Sequence, residues 1–268
     1  MYDLHIHTVH SPDSHDGAFM EAYAELALSK GYQGIGFSDH LEFDPDDDGC
    51  GYLDYDRYSR DIDAVRKKYE GRLTILKGIE VSYQREFSDA PKRYFAGKDF
   101  DYLIGAVHFV ARCPFHHGDR YFRGKTAEAA FRAYFEEVER TVESGLFDIL
   151  AHFDHLKRYS IPVYGSYTLA PHAGQIEQIL SAVARSGMAL EINTSGYRHA
   201  FRESFPAEPT IREYVRLGGR CVTLGSDSHA PAQFGTGIPE AVDLARRAGL
   251  GEAVYYVSRR RQAYPITG

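Results

Sequence analysis

The chain opens MYDLHIHTVHSPDSH, and in an extended segment residues two apart share a face, so His5 and His7 present two imidazoles side by side. Paired imidazoles suit a metal ion. Further candidates stand at the ends of later apolar runs: Asp39 and His40 after GIGF, Glu80 after LTILKGI, His108 in DYLIGAVHF, His152 in DILAHFDH, and Asp227 and His229 in CVTLGSDSH. Six of the 13 histidines fall at such places, whereas core or surface histidines would scatter without regard to strand polarity. Imidazole and carboxylate without thiolate favour zinc, manganese or iron, and one zinc ion with an open position takes only about three protein ligands. Two or three divalent ions are therefore expected. Metals about 3.5 to 4 Å apart clamp both oxygens of an in-line displacement at phosphorus, which makes phosphoester hydrolysis the leading reaction.

These residues act together only if the fold gathers them. Strand patterns begin near positions 2, 34, 73, 101, 148, 188 and 221, with a last one, AVYYVS, near 253. Helical periods separate most of them. In AEAAFRAYFEEVERTVES the residues Phe131, Tyr134, Phe135, Val138 and Val142 form one apolar stripe with Glu and Arg opposite. Another helix starts at Pro209, runs through Ile211, Tyr214 and Val215, and stops at Gly218 and Gly219. Seven or eight strands alternating with helices fit a (β/α) barrel better than an open doubly wound sheet, and no GxGxxG loop follows the first strand. In a barrel the carboxyl ends of all strands converge on one face, where they would cluster the histidines.

Composition narrows the partners. At 268 residues and 43% hydrophobic the chain can bury a large α/β core. A formal charge of −7 gives no basic footprint, so a small substrate is favoured over a nucleic acid. Cys50, Cys113 and Cys221 are scattered with no CxxC spacing, which fits a reducing cytoplasm rather than a disulfide framework. No secretory leader and no long apolar run occurs, so a cytoplasmic location without a membrane span is expected.

As an ordered set, DLHIHT, SDH, GIE, the histidine of GAVHF, the histidine of LAHFD, and GSDSH resemble the motifs of the polymerase and histidinol phosphatase (PHP) superfamily over nearly the whole chain. GLFDILAHFDHLKRY and LEINTSGYR are most similar to the stand-alone histidinol-phosphatase branch. The resemblance implies one distorted (β/α)7 TIM-like barrel over residues 1–268 and a trinuclear site. Residue by residue it implies His5, His7, His40, Glu80, His108, His152, Asp227 and His229 as ligands. Many members carry a further histidine six residues after HxH, where this chain has Asp13 and then His15. Either could complete the third ion, and Asp13 is the closer match in register. L-Histidinol phosphate is the implied substrate, with inorganic phosphate as product, in histidine biosynthesis.

Two arginines are placed to reach the same face: Arg158 after the fifth strand and Arg198 after NTSG, each with a guanidinium fork that suits phosphate. The alternative for both is a solvated surface arginine. Asp154, two past His152, has the spacing of an orienting carboxylate or proton donor, or of a helix cap. His116 and His117 fall in a long loop that could be a lid. The run from Asp44 to Asp48, with Asp119, is either a solvated loop or an attractor for a cationic substrate. The expected mechanism is attack by metal-bound hydroxide in line at phosphorus, with no covalent phosphoenzyme, and with His229, Asp154 or a bound water protonating the leaving oxygen. Nucleotide monophosphates or phosphotyrosine are the alternative substrates. A degenerate metal-binding module with a docking role is the alternative of another class.

Overall fold

The computed structural model of the chain describes residues 1–166 and 168–266, including every side chain in those ranges except that of Asp119. Seven parallel strands form its centre: β1 (Tyr2–Ile6), β2 (Gly34–Phe37, continued as His40–Leu41), β3 (Thr74–Lys77, continued as Glu80–Ser82), β4 (Ile104–Ala106), β5 (Ile149–Leu150), β6 (Ala189–Asn193) and β7 (Val222–Gly225). Each pairs with the next in chain order, and β7 closes on β1 through a parallel bridge between Ile6 and Ser228. The result is the expected distorted (β/α)7 barrel. The helices between the strands include α1 (Met20–Ser29), α2 (Tyr55–Lys68), α3 (Asp89–Phe95), α4 (Ala127–Glu143), α5 (Leu156–Tyr164), α6 (Ala173–Ser186), α7 (Glu208–Arg216) and α8 (Ile238–Arg247).

Helix α4 shows how the sequence builds this ring. Thr126 caps it by accepting from the Ala129 amide, and the whole stripe from Phe131 to Val142 is buried. Each such side chain contributes about 1.5 to 3 kcal/mol by leaving water. Inside the barrel the Tyr102 ring acts as a plug, its hydroxyl donating to the Leu4 carbonyl at 2.7 Å. A Cβ at Gly36 would lie 2.1 Å from that hydroxyl, so only glycine admits the plug there.

The breaks within β2 and β3, at Ser38–Asp39 and Gly78–Ile79, are the distortion in the ring. The Tyr58 hydroxyl fills them, lying 2.9 Å from the Phe37 carbonyl and 2.8 Å from that of Gly78. Beyond the breaks pairing resumes with His40 opposite Glu80, which puts both at the carboxyl end.

The segment near 253 is a strand, β8 (Glu252–Val257), but not an eighth barrel strand. It pairs antiparallel with β9 (Arg260–Pro265) across a two-residue turn in which Ser258 and Arg259 have φ of 49° and 62°, the twist a tight hairpin requires. Tyr255 stacks on Tyr2 at 4.2 Å, and the Tyr256 hydroxyl donates to the Asp148 carbonyl, so the hairpin covers the amino end of the barrel, opposite the histidines. Alternation of apolar residues signals a strand but does not choose its partner.

Candidate metal centre

At the carboxyl face one carboxylate stands among five imidazoles. Glu80, 1% exposed, has Oε1 at 2.8 Å from His152 Nε2, 3.4 Å from His5 Nε2 and 3.6 Å from His108 Nε2. Its Oε2 lies 2.9 Å from His40 Nδ1 and 3.7 Å from His7 Nε2. Asp227 Oδ1 is the second focus, at 3.5 Å from both His7 Nε2 and His229 Nδ1 and 3.9 Å from His5 Nε2. The fold thus brings together all eight residues that the resemblance implied.

Two of them sit on strained backbone. His152 and Asp227 have φ of 23° and 52°, a region that non-glycine residues occupy at a cost of about 1 to 3 kcal/mol and that clusters at functional sites. The Asp227 turn is clamped by Arg198, whose Nη1 donates to the Ser226 carbonyl at 2.6 Å and whose Nη2 donates to the Asp227 carbonyl at 2.7 Å. Burial pulls the His7 ring down to about 3 with help from the neighbouring His229 and His40. The same two causes, burial and adjoining imidazoles, bring His108 down to about 4. Burial alone would raise Glu80, but His5, His108 and His40 outweigh it and hold the carboxylate well below its usual range.

The donor set fits a metal on an observation independent of motif. His5 Nδ1 is bonded to Glu191 Oε1 at 2.6 Å and His7 Nδ1 to Ser11 Oγ at 3.2 Å, while the buried Nε2 atoms of both rings have no hydrogen-bond partner. One nitrogen oriented and the other left open is the arrangement of an imidazole ligand. Nitrogen and oxygen donors converge within 4.8 Å in overlapping groups: His7, His40 and His229; His108, His152 and His155; His5, His7 and Glu80; His40, Glu42 and His108.

Asp13 and His15 separate in space. Asp13 Oδ2 lies 3.1 Å from His229 Nε2 and 3.4 Å from His40 Nε2. His15 is exposed and meets His229 through its backbone amide, which donates to the His229 carbonyl at 2.8 Å.

Asp154 is fully buried, pairs with Lys157 Nζ at 3.3 Å and is not among the residues that line the cavity, the chain having turned at His152. His155 lines it instead, both ring nitrogens unpartnered. Asp39 is turned to the loop that follows β1. It accepts from the Thr8 amide at 2.6 Å and the Ser11 hydroxyl at 2.7 Å, fixing the loop behind His7.

The cavity over this face has a volume of about 920 Å³. Arg158 and Arg198 both line it, Arg158 exposed with its guanidinium 5.1 Å from the Tyr159 ring, and His116 and His117 stand at its mouth. The acidic run is not uniformly solvated: Asp44 is buried and accepts two hydrogen bonds from Arg112, at 3.0 and 2.7 Å. The Asp119 side chain lies outside the described residues. Among the described residues no helix is long and apolar enough to cross a membrane, and all three cysteines are free thiols.

Sequence reasoning missed Glu42, His155, Asn193 and Glu191. Glu191, 1% exposed, accepts from the His152 amide at 2.9 Å and from Asn193 Nδ2 at 3.1 Å besides holding His5. Gly225 makes room for it, since a Cβ there would lie 2.2 Å from Glu191 Oε1. Glu191→Gln is expected to weaken zinc binding about 10- to 100-fold, the usual cost of removing a group that orients a ligand. Competition with a calibrated chelator measures this; an unchanged affinity would deny Glu191 the role.

Comparison with known proteins agrees with the geometry. The histidinol-phosphatase of Lactococcus lactis is 27% identical, covering 93% of this chain and 92% of that protein. The histidinol-phosphatase of Bacillus subtilis is 26% identical, covering 87% and 95%. The crystal structure of histidinol phosphate phosphatase from Lactococcus lactis, complexed with zinc, L-histidinol and phosphate, superposes with a TM-score of 0.88 at 26% identity, covering 97% of this chain and 98% of that one. The family model described as PHP domain matches residues 3–195, a span that holds the candidate residues from His5 to Glu191 and stops short of Asp227 and His229. With its ordered motifs gathered at the carboxyl face of a seven-stranded barrel, the chain belongs to the PHP domain family.

Proposed function

We propose that the chain is a metal-dependent histidinol-phosphatase that hydrolyses L-histidinol phosphate to L-histidinol and inorganic phosphate, acting in the cytoplasm in histidine biosynthesis. The observation that carries this is the ring of imidazoles with open nitrogens around Glu80 and Asp227, in a chain that matches a zinc, histidinol and phosphate complex along nearly its full length. His5, His7, His40, Glu80, His108, His152, Asp227 and His229 would hold two or three divalent ions, drawn from zinc, manganese and iron, with Asp13 completing the outermost. His15 is the less suited of the two outer candidates: both are exposed, but it is the Asp13 carboxylate that approaches His229 and His40. When bound, such ions polarise the phosphoryl oxygens and lower the pKa of water toward 7.

The chain's own residues supply the rest. Arg198 commits two of its five N–H donors to carbonyls, which leaves three to meet phosphate oxygens while the clamp on Asp227 stays in place. Arg158, on the neighbouring loop, adds a second guanidinium from the solvent side. Proton transfer falls to Asp227 and His229, adjacent at 3.5 Å, with the ring partly exposed to the cavity and the carboxylate fixed by Asn193 Nδ2 at 3.3 Å. Asp154 has no part, since its carboxylate is turned to Lys157.

Metals and arginines read only phosphate, so discrimination must come from groups that meet the rest of the molecule. The kcat/KM for L-histidinol phosphate is expected to exceed that for AMP, phosphotyrosine and p-nitrophenyl phosphate by about 10- to 100-fold, about 1.4 to 2.7 kcal/mol of transition-state binding. One preparation assayed with zinc, manganese and iron in turn decides it. Parity with AMP or phosphotyrosine under every metal would leave a phosphoesterase but not a histidinol-phosphatase.

A further inference from the structure

Charges of both signs line the cavity, and two groups of them stand on opposite sides of the barrel. Arg158 and Arg198 follow β5 and β6, whereas Glu42 follows β2, which stands three strands from each around the ring of seven. Glu42 is 7% exposed, lines the cavity and has an Oε2 with no hydrogen-bond partner. Its other oxygen lies 3.8 Å from His108 Nδ1, beyond hydrogen-bond reach. A buried carboxylate without a donor is costly, and an incoming cation or N–H donor would relieve that cost. Of the acidic residues nearby, Asp44 and Asp46 are already held by Arg112.

On the reading that the substrate is L-histidinol phosphate, we infer that Glu42 is its specificity-determining residue, receiving the nitrogen end of the molecule while the arginines receive the phosphate. A phosphomonoester without N–H donors then leaves Glu42 unpaired and loses transition-state binding, whereas histidinol phosphate satisfies both sides of the cavity. The rival role is metal ligation, since donor atoms of Glu42, His40 and His108 lie within 4.8 Å of one another.

The test is Glu42→Gln, which keeps the shape and removes the charge, assayed beside the wild-type holoenzyme. The ratio of kcat/KM for L-histidinol phosphate to that for p-nitrophenyl phosphate should fall at least tenfold. Inhibition by L-histidinol should weaken by a similar factor with that by inorganic phosphate held within twofold, and metal content should match the wild type. Glu42→Asp should recover part of the ratio. An unchanged ratio in Glu42→Gln overturns the assignment, and so does a loss of bound metal that lowers both substrates alike. A wild-type chain with no preference for histidinol phosphate overturns the substrate reading and this inference together; a wild-type preference that survives the substitution overturns this inference alone.

Discussion

Glu80→Gln is expected to lower kcat for L-histidinol phosphate by at least about a thousandfold and to strip metal from the centre, with the barrel still folded. A thousandfold is about 4 kcal/mol of transition-state stabilisation, within what metal-assisted polarisation supplies. Both oxygens of Glu80 have an imidazole close by, at 2.8 Å to His152 and 2.9 Å to His40, so its charge is what permits five rings to pack around it. Glutamine preserves the volume but offers one neutral acceptor and an NH₂ donor that faces imidazole nitrogens. Metal analysis, kinetics and a circular dichroism melt on the same sample separate the effects. Full metal content with activity within tenfold of wild type would show that Glu80 is not central.

How the sequence announces this site depends on where strand geometry holds. His5 and His7 were legible because β1 runs straight from Tyr2 to Ile6 and alternation puts both on the inner face. The same parity was available in LEIN, where Leu190 and Ile192 face the helices while Glu191 and Asn193 face inward, and a charged residue buried in a barrel strand was the signal that went unused. Alternation fails beyond the last paired residue. β5 ends at Leu150 and the backbone turns at His152, so Asp154 points away from the cavity and His155, one residue later, points into it. Glu42 follows a break in β2 that no periodicity marks. The resemblance to the PHP superfamily carried the ligand set further than spacing could, since only an ordered set of motifs relates residues 5 and 229 before a fold is in hand.

The second large effect is removal of the metals themselves. Among the described residues of the centre, Asp227 is fixed by Asn193 and the Arg198 clamp, Glu80 is enclosed by imidazoles, and the proposed part of the arginines is to bind phosphate. On the proposed reading, hydrolysis depends on what the open nitrogens hold. The most direct measurement is phosphate release from L-histidinol phosphate by chelator-stripped protein during stepwise return of zinc, manganese or iron, with bound metal determined at each step. The expected course is a rate near background in the stripped protein and a rise of at least about a thousandfold that reaches its plateau at two to three ions per chain. Substantial turnover without metal, or a fully loaded protein that leaves histidinol phosphate intact, would contradict the account.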